Sequence, residues 1–466
     1  MRHKEVGNMK TDTIAAISTA MTASGIGIVR MSGSEVFTII DRVYQSKGKK
    51  KKLSEVPTHT IHYGYIMDGD EMIDEVLVMV MRAPRSFTSE DTIEINCHGG
   101  VYAMKRILET VIKNGARPAE PGEFTKRAFL NGRMDLSQAE AVIDVINAKN
   151  EYALKSSVSQ LRGSVMQAIK DIREQIIYHI AFIESALDDP EHISLEGYGG
   201  ELQQVNNKLI GKLEKLIASS EDGKMMKEGI RTVIVGKPNA GKSSLLNVLV
   251  GEERAIVTDI AGTTRDILEE TIQIHGISLN IIDTAGIRST EDVVEKIGVS
   301  RAKDYAKDAD LIIYVVDSST ELDENDSEII EMLRSKKAII LLNKTDLQMI
   351  TSEEMLKERI DKPVIPVSAK ENKGIDLLEL TLKEMFFHGE ISFNDEVYIT
   401  NIRHKTALAD ALSSLRQVRE SIEMGMPEDF YSIDLMSAYE ELGGIIGESV
   451  GEDLVNEIFS KFCMGK

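Results

Sequence analysis

The sequence predicts a multidomain protein with an α+β N-terminal domain, a discontinuous α-helical domain and an α/β domain inserted into the helical one. Three observations predict this fold class. Short apolar runs alternate with glycine turns over the first 124 residues, and an apolar stripe at helical spacing follows. Further on, a glycine-rich loop joins a buried strand to a helix. We place the domains at 1–124, at 125–222 with 382–466, and at 223–381.

Composition limits the possible classes of protein. The 466 residues are enough for about three domains. No apolar run approaches the roughly 18 residues that a membrane span requires. The two cysteines, Cys97 and Cys463, lie too far apart to predict a disulfide framework or a zinc site, which favours a reducing cytoplasm. The net charge of −21 argues against nucleic-acid binding by the whole surface.

The N-terminal domain is indicated by alternating strands and turns. Apolar runs at 60–66 and 73–81 flank a glycine-containing turn, which predicts a hairpin. Further strands are expected at 26–31 and 94–100, and a helix should follow from Val101 to Asn114. This pattern predicts a compact α+β unit.

The helical domain begins with a sequence typical of a helix N-terminus. Ser137 and Glu140 have the spacing of a capping box. A stripe with spacings of three and four predicts one long helix; its members are Leu154, Val158, Leu161, Val165, Ile169, Ile172, Ile176, Ile180 and Ile183. Apolar positions in 408–422 and 454–462 are the candidates to cover this stripe, so we expect 223–381 to be an insertion.

The inserted domain contains the sequence Gly-Lys-Pro-Asn-Ala-Gly-Lys-Ser at 236–243. It follows an apolar strand at 233–235 and enters an apolar helix, which is the context a phosphate-binding loop requires. In such a loop, backbone N–H groups and the helix N-terminus attract phosphate. Lys242 is expected to reach the β- and γ-phosphates and Ser243 to bind Mg²⁺.

Three further motifs follow in order, each at the end of an apolar run. Asp283 opens Asp-Thr-Ala-Gly and can hold Mg²⁺ through water, and Gly286 can donate its N–H to the γ-phosphate. Asp346, in Asn-Lys-Thr-Asp, can accept two hydrogen bonds from guanine that adenine does not offer. The loop at 368–370 is expected to pack on the base. The four motifs together indicate a GTPase.

The hydrolytic machinery departs from that of Ras-like enzymes. Ras-like enzymes have a glutamine directly after the glycine that corresponds to Gly286, and this glutamine orients the attacking water. This chain has Ile287 at that position. Asn239 could instead help to hold a monovalent cation near the phosphates. Thr264 fits the switch threonine that binds Mg²⁺. Glu295 could position water, although its spacing alone favours an ordinary solvated helix residue.

At these motifs the chain resembles the MnmE (TrmE) family of tRNA modification GTPases over nearly its whole length. The resemblance rests on the loop at 236–243, on 262–266 and on 283–288. The more specific markers lie outside the inserted domain: Pro-Gly-Glu-Phe-Thr at 121–125 with Ala-Phe-Leu-Asn-Gly at 128–132, and Cys-Met-Gly-Lys at 463–466.

The resemblance implies a homodimer formed through a folate-binding N-terminal domain, and a heterotetramer-like complex with an FAD-containing MnmG-type partner. The pair would convert C5 of the wobble uridine (position 34) of certain tRNAs to an aminomethyl or carboxymethylaminomethyl form. The one-carbon unit would come from 5-formyl- or methylene-tetrahydrofolate, and the amine donor stays open between ammonium and glycine. Potassium-dependent dimerisation of the GTPase domains would drive GTP hydrolysis.

The resemblance also assigns residues. It makes Glu295 the catalytic residue that orients water, and it gives Ser243 and Thr264 to Mg²⁺. The potassium ligands would be Asn239, Thr258, Ile260 and Thr263. The folate contacts would be Arg30, Glu94, Arg133 and Lys466, with possible chemistry at Cys463. The nucleotide contacts would be Asn239, Ala240, Gly241, Lys242, Ser243, Ser244, Thr258, Asp259, Ile260, Ala261, Gly262, Thr263, Thr264, Asp283, Thr284, Ala285, Gly286, Asn343, Lys344, Asp346, Ser368, Ala369 and Lys370.

Two other classes of protein fit part of the pattern. A regulatory or ribosome-associated GTPase would use its flanking domains only for binding and would not bind folate. A stand-alone folate-dependent transferase would modify its substrate without a flavoprotein. The terminal Cys-Met-Gly-Lys and the region around Glu94 favour the tRNA-modifying class over both.

Overall fold

The computed structural model describes residues 12–48, 51–252, 270–274, 277–282, 309–387, 397–448, 450–462 and 465. The chain divides into two compact units. Unit 1 contains 1–146, 160–182 and 435–466, and unit 2 contains 147–159 and 183–434. The predicted fold class is confirmed, because the chain combines an α+β sheet domain, long helices and an α/β domain built around the glycine-rich loop.

The described strands are β1 Ile14–Ile17, β2 Ser24–Ser32, β3 Tyr44–Ser46, β4 Thr60–Asp68, β5 Glu71–Met81, β6 Thr92–Gly99, β7 Arg117–Pro118, β8 Ile230–Val235, β9 Glu270–Ile274, β10 Ile277–Ile281, β11 Leu311–Asp317, β12 Ala338–Asn343 and β13 Val364–Pro366. The described helices are α1 Val36–Val43, α2 Val101–Lys113, α3 Glu123–Leu130, α4 Leu136–Asn147, α5 Glu151–Leu161, α6 Ser164–Asp188, α7 Tyr198–Glu228, α8 Lys242–Glu252, α9 Glu324–Leu333, α10 Glu353–Lys357, α11 Ile375–Phe387, α12 Ile402–Glu423, α13 Glu428–Ile446 and α14 Glu452–Ser460. Within these described ranges, no helix is both long enough and apolar enough to span a lipid bilayer.

Unit 1 is built on a seven-stranded sheet in the order β3-β4-β5-β6-β2-β1-β7. The predicted hairpin is confirmed, since β4 and β5 pair antiparallel from Asp68 opposite Glu71. Residues of α1 and α2 join alternate residues of the strands in one apolar core. The antiparallel register of β2 and β6 sets Arg30 directly opposite Glu94. Two predicted site residues, 64 positions apart in sequence, are therefore neighbours on the sheet.

Helix α4 starts one position after the residue that caps it, and this residue is not the one predicted. Asp135 Oδ1 accepts from the Gln138 N–H at 3.1 Å, and Gln138 Oε1 accepts from the Asp135 N–H at 3.0 Å. This reciprocal pair is the capping box. Ser137 donates to Asp135 from inside the first turn. The prediction of Ser137 as the cap was wrong because the sequence holds two matching patterns only two residues apart.

The apolar stripe does not lie on one long helix. Helix α5 ends at Leu161 and α6 starts at Ser164, because Gly163 between them takes a left-handed φ of +94°. A left-handed residue ends a helix, and glycine adopts it without steric cost. Leu154 is 43% exposed, whereas the stripe from Val165 to Ile183 is buried as predicted. The spacing of apolar positions by three and four residues continues through the break at Gly163, so this spacing could not reveal the break.

Helix α12 was predicted to cover that stripe, but it packs along α7 within unit 2. The buried Asn206 amide donates to the Leu415 carbonyl at 2.8 Å, and Arg416 pairs with Glu214 at 2.8 Å. Helix α7 has apolar positions of its own facing α12, and the sequence analysis had not recognised it as a helix. Helix α7 is thus a partner of α12 that the spacing did not predict, whereas the predicted burial of Leu408, Leu412, Leu415 and Val418 is confirmed.

Unit 2 contains a six-stranded sheet in the order β13-β12-β11-β8-β10-β9. All neighbouring strands are parallel except β9 and β10. Apolar clusters cover both faces, which explains why the strands read as continuous apolar runs. After β8 the chain forms β9 and β10 on one side of β8 and then β11 on the other side. This switch of direction opens a crevice at the carboxyl ends of β8 and β11, where α/β proteins bind ligands.

The glycine at the start of α3 generates a prediction about stability. Gly122 and Gly132 have almost the same left-handed φ, +68° and +71°. A Cβ on Gly122 would lie 2.6 Å from the Phe459 carbonyl oxygen, whereas no described atom lies within 4 Å of a Cβ on Gly132. Gly132→Ala should cost about 1–2 kcal/mol for the left-handed backbone alone. Gly122→Ala should cost about 1–3 kcal/mol more because of the added collision.

Thermal unfolding of the full-length chain and the two variants measures this difference. We expect the melting temperature of Gly122→Ala to fall clearly below that of Gly132→Ala. Equal melting temperatures would mean that the close approach of α14 to Gly122 does not constrain the fold.

Candidate functional site

The glycine-rich loop between β8 and α8 lies against β11 and against the end of β12, the two strands that follow β8 on one side of the sheet. A Cβ on Gly236, which has a φ of +153°, would collide with the Val315 carbonyl of β11. A Cβ on Gly241, with a φ of +95°, would collide with the side chain of Asn343 at the end of β12. Both positions therefore require glycine for two reasons, a left-handed backbone and a lack of space. The loop fits closely against the sheet edge.

Lys242, near the end of this loop, contacts backbone oxygens at the start of the loop. Lys242 Nζ donates to the Gly236 and Lys237 carbonyl oxygens, each at 2.8 Å. Ser243 and Ser244 follow in the first turn of α8, where the helix dipole and the backbone N–H groups create positive potential. The arrangement presents an ammonium group, hydroxyl groups and backbone donors at one helix N-terminus. Anionic oxygens, such as those of phosphate, are the groups that such a site binds.

Asn343 connects three loops through one buried amide. Its Nδ2 donates to the Ala240 carbonyl of the glycine-rich loop at 2.9 Å, and its Oδ1 accepts from the Ala369 N–H at 3.2 Å. Because a side-chain amide has both donor and acceptor atoms, it can join two backbones that neither an aliphatic nor an acidic residue could join. The structure thus brings together residues predicted from three separate motifs.

Lys344 is held in a left-handed conformation with a φ of +63°. Its Nζ donates to Asp317 Oδ2 at 2.6 Å, and Ser318 Oγ donates to the Lys344 carbonyl at 3.0 Å. Burial raises the pKa of Asp317, but hydrogen bonds from Lys344 and Ser319 outweigh burial and lower the pKa overall. Asp317 lies in none of the four motifs, and the sequence analysis did not identify it.

The carboxylate predicted to recognise guanine has one oxygen oriented by a neighbouring loop. Asp346 Oδ1 accepts from Ser368 Oγ at 2.8 Å, and Ser368 is almost fully buried. Ala369 lies beside it and Lys370 is exposed. In the described part of the chain, Ser368 is the one residue that donates a hydrogen bond to this carboxylate. The hydrogen bond from Ser368 therefore orients the carboxylate that the motif predicts to recognise the base.

Several predicted residues lie outside the described residues. They are Thr258, Asp259, Ile260, Ala261, Gly262, Thr263, Thr264, Asp283, Thr284, Ala285, Gly286, Glu295, Cys463 and Lys466.

A second group of predicted residues meets on the sheet of unit 1. Arg30 Nε donates to Glu94 Oε1 at 2.7 Å, and both side chains are largely buried. The Arg30 guanidinium lies 5.7 Å from the ring centre of Phe87 and 5.6 Å from that of Phe124. Its Nη1 donates to the Gly465 carbonyl at 3.2 Å, so the C-terminal tail reaches this site. The pairing neutralises a charge that burial would otherwise make costly.

Arg133 approaches the same site from the end of α3. Its guanidinium lies 4.8 Å from the Phe87 ring centre, and its Nη1 donates to the Phe87 carbonyl at 3.0 Å. Burial lowers the pKa of Arg133. Phe87 therefore lies between two arginines and gives the site an aromatic surface. Phe87 is not identifiable from the sequence, because a single aromatic residue in a turn has no periodic or motif signal.

The motif at 121–125 contributes structure beside this site. Glu123 accepts from Arg117 Nη2 at 2.6 Å, from Arg127 Nη2 at 3.0 Å and from the Glu120 N–H at 2.8 Å. Arg127 also donates to Asp12 Oδ1 at 2.8 Å. Burial raises the pKa of Glu123, but its hydrogen bonds outweigh burial and lower it. This network fixes α3 to β7 and to Asp12, which lies two positions before β1, and β2, the antiparallel neighbour of β1, carries Arg30.

The fold and the nucleotide site define a P-loop GTPase with additional helical and α+β domains. A family model described as the MnmE helical domain matches residues 136–463, and one described as the GTP-binding protein TrmE N-terminus matches 13–133. The chain therefore belongs to the tRNA modification GTPase MnmE family, which confirms the resemblance found in the motifs.

Individual relatives agree with this membership. The tRNA modification GTPase MnmE of Lachnoclostridium phytofermentans is 62% identical over 98% of this chain and all of its own length. The protein with the same description from Acetivibrio thermocellus is 51% identical over 98% of this chain and all of its own length. The one from Bacillus pumilus is 47% identical with the same coverage.

Proposed function

We propose that this GTPase of the MnmE family acts with an FAD-containing MnmG-type partner on C5 of the wobble uridine, position 34, of certain tRNAs. The product is the aminomethyl or carboxymethylaminomethyl form, and a tetrahydrofolate supplies the one-carbon unit. The observation that carries this proposal is the meeting of Arg30, Glu94, Arg133 and the C-terminal tail around Phe87 in a chain that also has a complete phosphate loop. A purely regulatory GTPase has no use for that site.

The nucleotide roles follow from the chemistry of the loop. Lys242 Nζ has three donors, so it keeps its contact with the Lys237 carbonyl while the other two donors reach phosphate oxygens, and Ser243 binds Mg²⁺ with Thr264. When bound, Mg²⁺ neutralises charge that develops on the phosphates. Asp346 accepts the N1–H and N2 amine of guanine, and Ser368 orients it.

The assignment of Asp346 predicts a change of base preference. Asp346→Asn replaces one acceptor oxygen by an NH2 donor, so the N2 amine of guanine loses its acceptor and faces a donor, while xanthine, which carries O2 in place of that amine, gains a partner. The affinity for GDP should fall by about a hundredfold or more. Titration with fluorescent GDP and competition by XDP measure both effects.

The matched control is Asp376→Asn, which changes an exposed carboxylate in the first turn of α11. It should bind GDP like the unchanged protein. If Asp346→Asn kept full affinity for GDP and no affinity for XDP, another residue would recognise the base.

The potassium proposal rests on Asn239 and on the lack of a water-orienting glutamine at Ile287. Asn239 is exposed and has a φ of +59°, a conformation that asparagine enters more readily than most residues. With Thr258, Ile260 and Thr263, its side-chain oxygen would hold K⁺ beside the phosphates. The cation replaces the charge of an arginine finger, and Glu295 orients the attacking water. Dimerisation of the GTPase domains completes the site.

GTP turnover in potassium and in sodium tests this proposal. Potassium should stimulate turnover by at least about tenfold, because an added positive charge at this point has large effects in related enzymes. Asn239→Gly should lose the stimulation, since it removes the amide oxygen and tolerates the left-handed backbone.

Asn239→Ala is the companion variant, because it removes the same oxygen but strains the backbone. The two variants should lose the potassium effect to the same extent if the oxygen is responsible. Equal turnover of the unchanged protein in both salts would exclude a potassium site and indicate a separate activator.

The folate proposal assigns the pterin amine edge to Glu94 and the anionic glutamyl tail to Arg30, Arg133 and Lys466. Glu94 Oε1 is engaged by Arg30, so we assign Oε2 to the pterin. The Phe87 ring offers a flat surface between the two arginines. Homodimerisation through residues 1–124 and the domain limits of 125–222 with 382–466 and 223–381 belong to the same proposal, as does chemistry at Cys463.

Folate binding gives the corresponding prediction. Glu94→Gln keeps the size of the side chain but removes its charge, so affinity for 5-formyl-tetrahydrofolate should fall by about tenfold. Isothermal titration measures the change. Glu109→Gln, at an exposed position of α2, is the control and should bind normally. Unchanged affinity of Glu94→Gln would remove Glu94 from the folate site.

A further inference from the structure

The second residue of the phosphate loop sends its side chain away from the nucleotide site. Lys237 Nζ lies 2.7 Å from Asp326 Oδ2 and 3.1 Å from Asp323 Oδ2. It also lies 3.4 Å from the Glu321 carbonyl oxygen. These acceptors belong to α9 and to the turn that precedes it. An ammonium group has three donors, and each of them has an acceptor here.

Asp326 is a deeply buried carboxylate, with only 1% of its side chain exposed. Its Oδ1 accepts from Tyr314 Oη at 2.6 Å, and its Oδ2 accepts from the Asp323 N–H at 2.8 Å as well as from Lys237. Tyr314 is fully buried in β11. A buried charge without partners is costly, so this carboxylate holds its donors firmly. An ion pair between exposed side chains contributes little to stability, whereas the Asp326 carboxylate is buried.

The backbone of the same lysine carries the contacts of the loop itself. The Lys237 carbonyl accepts from Lys242 Nζ at 2.8 Å and from the Ala240 N–H at 3.3 Å. The residue anchored on α9 therefore also presents the oxygen on which the phosphate-binding lysine rests. A continuous series of contacts runs from Tyr314 through Asp326 and Lys237 to Lys242.

The charge of this anchor is maintained by its surroundings. Burial lowers the pKa of Lys237, but ion pairs with Asp326 and Asp323 outweigh burial and raise it above its usual value. Burial and the hydrogen bond to Asp326 both raise the pKa of Tyr314, so its hydroxyl keeps the proton that it donates. The anchor consequently persists at any pH near neutrality.

We infer that Lys237 is a positioning residue for the nucleotide: through Asp326 and Tyr314 it holds the glycine-rich loop in the shape that receives the phosphates. Lys237 itself contacts no phosphate in this role. Its effect passes through its own carbonyl and through Lys242. The inference rests on the GTP site described above and adds a residue to it.

The decisive variant is Lys237→Met, which keeps the length of the side chain and removes the charge. Without the anchor, dissociation of fluorescent GDP should accelerate by about tenfold or more, because small displacements of a binding group have large effects. The KM for GTP should rise more than kcat falls. Lys237→Arg should restore most of the slow dissociation, since guanidinium can reach both aspartates.

Two further variants complete the experiment. Lys357→Met removes an exposed lysine that pairs with Glu353 on α10, and it should leave GDP dissociation unchanged. Tyr314→Phe breaks the series at its far end without altering the loop sequence. It should accelerate GDP dissociation as Lys237→Met does, but by a smaller factor. If Lys237→Met fails to fold, the rate for Tyr314→Phe tests the inference.

The melting temperatures of the variants separate positioning from simple stability. The inference is overturned if Lys237→Met and Tyr314→Phe release GDP at the rate of Lys357→Met, whatever their melting temperatures. It is also overturned if Lys237→Arg releases GDP as fast as Lys237→Met. Failure of the unchanged protein to bind GDP would instead overturn the assignment of the GTP site itself.

Discussion

The carboxyl ends of parallel strands lie at one edge of a sheet, and the nucleotide site depends on how the loops at that edge are joined. Asn343 makes the central joint, because its amide donates to Ala240 in one loop and accepts from Ala369 in another. The joint also explains the glycine at 241, since a side chain there would occupy the space of the Asn343 amide. The glycine-rich loop and the loop at 368–370 are thus parts of one hydrogen-bonded assembly.

In the candidate site of unit 1, side chains are positioned by strand register and not by loops that a buried amide joins. Its functional side chains lie on a stiff antiparallel sheet, and strand register sets Arg30 opposite Glu94. Phe87 then adds an aromatic face to both Arg30 and Arg133. Because the charged groups pair with each other inside the protein, they can stay largely buried without a large desolvation penalty. The charged groups are therefore already oriented by their contacts within the protein.

How well each feature could be predicted depends on how far apart in sequence its interacting residues lie. The glycine-rich loop, the hairpin between β4 and β5, and the four apolar strands that precede the nucleotide motifs depend on neighbouring residues, and all were predicted from the sequence. The break at Gly163 was local too, but the apolar spacing ran through it and hid the left-handed turn. The packing of α12 on α7 depends on residues about 200 positions apart, so spacing had no means to select between partners.

Within the candidate sites, the unpredicted residues are those that act on other protein groups. Lys242 and Asp346 have side chains whose chemistry matches a nucleotide, so a motif reveals them. Asp317 and Phe87 match only the side chains that fold beside them, namely Lys344 and the two arginines. Such a match is visible only in three dimensions.

Strand β11 shows what this difference means for the architecture. It supplies no residue to the four nucleotide motifs, yet it lies between β8, which leads to the phosphate loop, and β12, which leads to the base loop. Its Tyr314 bonds the carboxylate that holds Lys237, and its Asp317 holds Lys344. Two loops far apart in sequence thereby rest on one buried strand. Because a strand packed on both faces cannot shift without disturbing the core, β11 gives both loops a rigid common reference.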